Sequence, residues 1–176
     1  MAIVKKNEVK YDHYFDRNTK RHKINGVQSV LHCHHYTSLY TQLAIDANET
    51  ELLKECARES FRNVLDTYFA ANPDINTLQA KAEISCQYYA LLGLGRLTIH
   101  FLGSEGGEAE LLSSHTDDGW KKKWGNYKKP VNYISAGFIE ACFESVLCLH
   151  SRAFSAVETQ SIVMGAKTSI FKVVRR

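Results

Sequence analysis

Residues 96–115 read RLTIHFLGSEGGEAELLSSH. From Arg96 to Leu102 apolar and polar residues alternate, Gly103 to Gly107 forms a turn, and Glu108 to His115 returns. A period of two on either side of a glycine-rich turn is the signature of a β-hairpin. This hairpin decides the fold, because everything between residues 28 and 92 carries a helical period instead. Upstream, residues 76–92 place Leu78, Ala82, Ser85, Tyr89 and Leu92 inward, and Gly93 suits the helix stop. Before that, Leu53, Ala57, Phe61, Val64, Leu65 and Tyr68 share one side of a helix whose other side carries Glu55, Arg58, Glu59 and Arg62. Asn48 with Glu51 resembles its start, and Pro73 closes it. In residues 28–46, Leu31, His35, Leu39 and Leu43 recur beside a line of His32, Tyr36 and Tyr40. Few charges interrupt this helix, so most of its circumference is expected to be buried, part of it in a subunit interface. Downstream, 134–150 is helical, with Phe138, Cys142 and Val146 on one stripe. Residues 154–163 and 169–174 read as strands. The order α, α, α, β-hairpin, α, β-hairpin predicts an α+β fold, with helices packed on one face of an antiparallel sheet. Residues 1–28 read as an extended or irregular N-terminal extension with a turn at Asn25-Gly26, and 29–176 as a single domain.

The chain has 176 residues, 44% hydrophobic, 23% charged and 11% aromatic, with a net charge of +3. This is ordinary globular composition, and a chain of this length buries a sufficient core without a metal or disulfide staple. No segment approaches the roughly 20 apolar residues of a membrane helix, and the N-terminus lacks a secretory core. Five scattered cysteines, none in a C-x-x-C pair, predict reduced thiols in the cytoplasm, packed in or beside apolar helical stretches. The charge is too mild to indicate nucleic acid. It is locally concentrated, however: Lys121, Lys122, Lys123, Lys128 and Lys129 surround Trp124 and Tyr127. This segment reads as a solvated loop, with contact to an acidic protein or a membrane surface as the functional alternative.

Few motifs carry chemistry. His32-Cys33-His34-His35 is the most unusual. His32 and His35 are one helical turn apart and can line a cavity or exchange protons near neutral pH, and His34 is expected to face solvent. Metal ligation by this cluster ranks below cavity lining and packing. Glu140 and Glu144, four apart, are expected to form a solvated stripe rather than an acid/base pair. No serine has a nucleophile-elbow context, and Gly93-Leu94-Gly95 precedes a strand, the wrong order for a dinucleotide loop.

Pro130-Val131-Asn132-Tyr133-Ile134-Ser135-Ala136-Gly137-Phe138, then Val157 to Ser161, then Gly165 to Phe171, form a pattern that resembles the 4-vinyl-reductase domain family. That family is similar in fold to the Bet-type subunits of the TRAPP vesicle-tethering complex. The resemblance in element order covers residues 27–174. It implies a homodimer built on helix 28–46 and a cavity between helices and sheet for an apolar or aromatic molecule. His35, Tyr89, Phe101, Trp124, Tyr133 and Phe138 are the candidate ligand contacts. Metal-binding members hold zinc at positions matched here by Asn132, Glu158, Ser161 and Ser169. Amide and hydroxyl groups are poor zinc ligands, so no zinc is expected. Haem-nitric-oxide domains of the same superfamily use Tyr-x-Ser-x-Arg. Here Tyr133-Ile134-Ser135-Ala136-Gly137 lacks the basic residue, so no haem and no other cofactor is expected.

Three functions follow as expectations. The first is a non-catalytic, dimeric sensory or carrier domain for an apolar or aromatic ligand. The second is an enzyme or accessory protein acting on a tetrapyrrole or other cyclic substrate, with His32 or His35 as acid/base. The third is a TRAPP-like assembly adaptor.

Overall fold

The computed structural model describes residues 7–30 and 33–176. The hairpin forms as expected. Strand β4 (Gly95–Gly103) pairs antiparallel with β5 (Gly106–Ser114). The chain's last strands, β6 (Phe154–Gln160) and β7 (Ser169–Arg175), complete one antiparallel sheet in the order β4-β5-β7-β6. Alternation fixes its inner face: Leu97, Ala109, Leu111, Phe154, Ala156, Phe171 and Val173 all enter the core. Helix α5 (Tyr133–Val146) lies against them, and every residue from Ser135 to Val146 is buried. Helix α2 (Thr50–Ala71) packs on α5, and α3 (Leu78–Leu91) lies beside β4 and α5. Helices therefore cover one face of an antiparallel sheet. Gly137 lets α2 and α5 approach, since a Cβ there would sit 2.3 Å from the carbonyl oxygen of Lys54.

Several expectations change in the structure. The extension is a second sheet, a meander of β1 (His13–Asp16), β2 (Arg21–Ile24) and β3 (Val27–Ser29). Asn25 and Gly26 make its two-residue turn, both at positive φ (50° and 80°), as that hairpin type requires. The sheet docks on the helices. The backbone N–H of Lys10 donates to the Tyr68 hydroxyl at 2.7 Å, and that of Val9 donates to Gln87 Oε1. The boundary at 28/29 falls inside β3. Helix α1 (His34–Asp46) consequently starts six residues later than 28–46 implied, with Cys33 as its N-cap residue. The Lys/Trp segment begins as a helix, α4 (His115–Trp124), because Ser114 caps it by accepting from the Asp117 N–H at 3.1 Å. The C-terminal helix ends at Val146, and β6 stops at Gln160 before a 3₁₀ turn. Leu78, expected inward, is exposed.

Helix α1 is inverted relative to its pattern. Thr37, Ser38 and Thr41 are buried, whereas Leu39 and Leu43 are exposed and the Tyr36 and Tyr40 rings lie tilted against each other at the surface. The small polar residues face α4 because only small groups fit there. A Cβ on Gly119 of α4 would lie 2.6 Å from Ser38 Oγ.

The expected solvated charges are the other reversal. Arg58, Glu140 and Glu144 are 2%, 1% and 0% exposed. Lys54, Arg58 and Arg62 on α2 face Glu140 and Glu144 on α5, with Arg62 Nη1 at 3.1 Å from Glu144 Oε2. The carboxylates also accept backbone N–H groups, Glu144 from Ala153 and Glu140 from Ala156. Burial pushes the Glu140 carboxyl up, while Ala156 N–H and Lys54 pull it down. The cluster thus ties two helices to the start of β6.

Candidate functional site

Between the N-terminal sheet and the helical layer lies a cleft of about 760 Å³. Its apolar walls are Ile24, Val27 and Val30 from the sheet side, Phe61 and Val64 of α2, and Tyr88 and Leu91 of α3. Its polar lining residues are Gln28, Ser29, Cys33, Ser60 and His115. A second lobe of about 390 Å³ shares Val27, Val64 and Tyr88 and continues toward Lys10 and Tyr68. Apolar walls with a few convergent polar groups are the usual make-up of small-molecule sites, which run roughly 300–1,000 Å³. Sequence reading missed this site because it treated 1–28 as an extension. Ile24 and Val27, flanking an Asn-Gly turn, were the signal that this hairpin has a buried side.

At the polar end of the cleft, α1 and α4 bring their first residues together. His34 lies between His35 (ring centroids 4.3 Å apart) and His115 (6.0 Å, edge-on). Its Nε2 is buried with no hydrogen-bond partner among the described residues, contrary to the expected solvent-facing position. Cys33 Sγ is 3.7 Å from His35 Nδ1. His32 lies outside the described residues.

The residues expected to contact ligand occupy several places. Tyr89 and Phe138 pack edge to face at 4.9 Å inside the core, and the Tyr89 hydroxyl meets Ser135 Oγ at 2.7 Å. Phe101 is 64% exposed and borders a separate groove of about 660 Å³ between α3 and β4. Trp124 is partly exposed on α4 against Trp120, with Lys123 Nζ 4.4 Å above its ring. Tyr133 lines a small pocket with Lys54 and Glu158. His35 is exposed beside Cys33. None of the six borders the main cleft, although Phe61 packs on Phe138 behind its wall. Lys121, Lys122, Lys123, Lys128 and Lys129 are all exposed.

The four motif positions do converge. Asn132 Nδ2 donates at 2.9 Å to both Glu158 Oε1 and Asp117 Oδ2, and Asn132 Oδ1 accepts from Ser114 Oγ at 2.6 Å. Ser169 Oγ accepts from the Ile162 N–H, and Ser161 is buried beside them. The zinc that the resemblance implies does not fit this donor set. There is no thiolate or imidazole, and the Asn132 amide lies between the two carboxylates where a cation would be held. Burial, opposed by Ser169 and Asn132, pushes the Glu158 carboxyl up.

Burial also pushes Asp117 up to about 6, with the nearby Glu158 charge in the same direction and Asn132 opposing. The folded chain therefore holds this proton up to about pH 6, whereas an unfolded Asp releases it near 3.8. Stability contributed here is present below pH 3.8 and is lost as pH rises to 6, by about 3 kcal/mol in all. Asp117→Asn should match the parent protein near pH 4 and exceed it by up to about 3 kcal/mol at pH 7. Chemical denaturation at the two pH values checks this, and a pH-independent difference would contradict it.

The chain has the 4-vinyl-reductase/TRAPP-like fold. Neither a family profile nor a curated protein matches the sequence itself. Among solved structures it is similar to the phenol-responsive sensory domain of the transcription activator PoxR with phenol. That match has a TM-score of 0.78 at 11% identity and covers 93% of this chain and 84% of that one. A vinyl-4-reductase family protein from Methanocaldococcus jannaschii matches with a TM-score of 0.54 at 16% identity, over 84% of each chain. A trafficking protein particle complex subunit 3 from Naegleria fowleri, covalently bound to palmitic acid, matches at 0.52 and 16%, over 80% of this chain and 90% of that one. No helix among the described residues is long and apolar enough to cross a membrane.

Proposed function

We propose that this chain is a small-molecule-binding sensory domain whose ligand is a small aromatic of the phenol class. The cleft beneath the N-terminal sheet carries this reading. Its walls are mostly apolar, bordered by the Phe61 and Tyr88 rings, and His115 and Ser60 are among its hydrogen-bonding groups for one hydroxyl. The likeness to a phenol-responsive domain with phenol supports the ligand class. The sheet that roofs the cleft is small, with strands of three or four residues, so its docking is the element a ligand would stabilise. Binding in this reading needs no metal or cofactor and involves no bond making.

The functional unit is a homodimer formed through α1. Its apolar side faces outward in the single chain, with Leu43 55% exposed, and a second copy of the same helix would cover it. Calorimetric titration with phenol, alongside sedimentation velocity, tests both parts. The expected results are saturable binding and a dimer that Leu43→Glu dissociates. Heats no larger than dilution would overturn the ligand reading, and a parent protein that sediments as a monomer would overturn the dimer.

A further inference from the structure

The cysteines do not behave as the uniform set of packing thiols expected from sequence. Cys142 is buried in the core, and burial pushes its thiol up. Cys86 is held between α3 and β4, with its thiol pushed up to about 11 by burial. Cys56, Cys148 and Cys33 are exposed. Of these, only Cys33 borders the main cleft.

Three further features converge on Cys33. Its Sγ lies 3.7 Å from His35 Nδ1, so an imidazole is placed to take the thiol proton. It is the N-cap residue of α1, its side chain makes no capping hydrogen bond, and the positive end of a helix favours negative charge. His115, from α4, borders the same end of the cleft as a second hydrogen-bonding group. A nucleophile, a base and an apolar cleft sized for an aromatic ring are thus adjacent.

We propose that Cys33 is a covalent capture site for electrophilic aromatics, quinones in particular, that enter the cleft. The chemistry is conjugate addition. His35 takes the thiol proton and the Cys33 sulfur bonds to a ring carbon of the quinone. The displaced C=C electron pair moves onto a carbonyl oxygen, which is protonated. Loss of the ring proton to solvent and protonation of the second oxygen leave a hydroquinone thioether. Thiol and quinone combine without loss of atoms, and no external oxidant or reductant is required. The cleft would thereby hold phenols reversibly and their quinone counterparts covalently.

This inference rests on the cleft reading above, and the test separates the two. The full chain is treated with substoichiometric 1,4-benzoquinone, and adducts are located by peptide mass spectrometry. Cys148 is an internal control, since Lys81 Nζ lies 3.8 Å from its sulfur but it borders no part of the cleft. The expected result is labelling of Cys33 about tenfold faster than Cys56 or Cys148. Phenol should slow labelling at Cys33 alone, and His35→Ala should slow it about tenfold. Equal labelling of the three exposed thiols, or no protection by phenol, would overturn the proposal. Calorimetry with phenol on Cys33→Ser keeps the readings apart. Retained binding with unselective labelling removes the covalent site and leaves the sensory reading standing. Selective Cys33 labelling that phenol does not slow, with no phenol binding, removes both the cleft ligand and the capture step built on it.

Discussion

Arg58→Met should destabilise the domain by about 3–5 kcal/mol, because it leaves the Glu140 and Glu144 carboxylates buried with much of their compensation gone. Arg58 is fully buried, with Nε 3.9 Å from Glu140, Nη1 3.7 Å from Glu144 and Nη1 donating to Ser151 Oγ at 2.8 Å. Methionine fills much of the same volume, so the loss reads charge rather than a cavity. Around it, Glu55 also pairs with Arg152, and Arg176 reaches Glu140, so the cluster gathers α2, α5 and the chain's end. Urea denaturation measures the effect. A change under 1 kcal/mol would mean that Lys54 and Arg62 alone neutralise the pair. Replacing all three of Arg58, Glu140 and Glu144 by apolar residues should cost less than the single substitution, since no charge is then left behind.

Val64→Trp should abolish phenol binding, lowering affinity by at least about 100-fold. Val64 borders both lobes of the cleft, and the indole would occupy space shared by Tyr88 and Val27. The helix itself should tolerate the change, because Val64 is only half-buried and its neighbour Leu65 fills the core position. Circular dichroism confirms the fold, and calorimetry reads the affinity. A folded variant that binds phenol as tightly as the parent protein would place the ligand elsewhere.

Much of the fold was legible because local rules and tertiary structure agree. The 96–115 hairpin has a two-residue period around glycines, and α3 ends where Gly93 allows it, at φ 75°. Helix α4 was hidden by its lysine run, although Ser114 and Asp117 carry the S-x-x-D cap spacing that marks a helix start. The buried charges were hidden for a different reason. Glu140 and Glu144 on one helix look solvated until their counterpart is considered. Lys54, Arg58 and Arg62 repeat at the same spacing of four, and two such stripes neutralise each other face to face. In α1 the apolar stripe faces outward in the single chain. Apolar periodicity shows that a face is covered by something, and in the single chain the close approach to Gly119 selects the small polar face instead.

The candidate site was less legible than the fold. Tyr89, Phe138 and Tyr133 are aromatics expected near a helix–sheet cavity, yet that interior is filled by ring-on-ring packing from Phe61 through Phe138 to Tyr89. The open space lies one layer further out, beneath a small sheet whose strands are too short to announce a wall of a site. The motif positions, by contrast, lie close together. Asn132 bridges Asp117 and Glu158, and Asp117 was visible only once α4 had been placed.

The most direct test of the account is a phenol titration followed residue by residue in NMR spectra of the labelled protein. Saturable shift changes are expected, centred on Phe61, Val64, Tyr88 and His115, with the N-terminal sheet following. Changes confined to the α3–β4 groove around Phe101 and Cys86, or no changes at all, would contradict it.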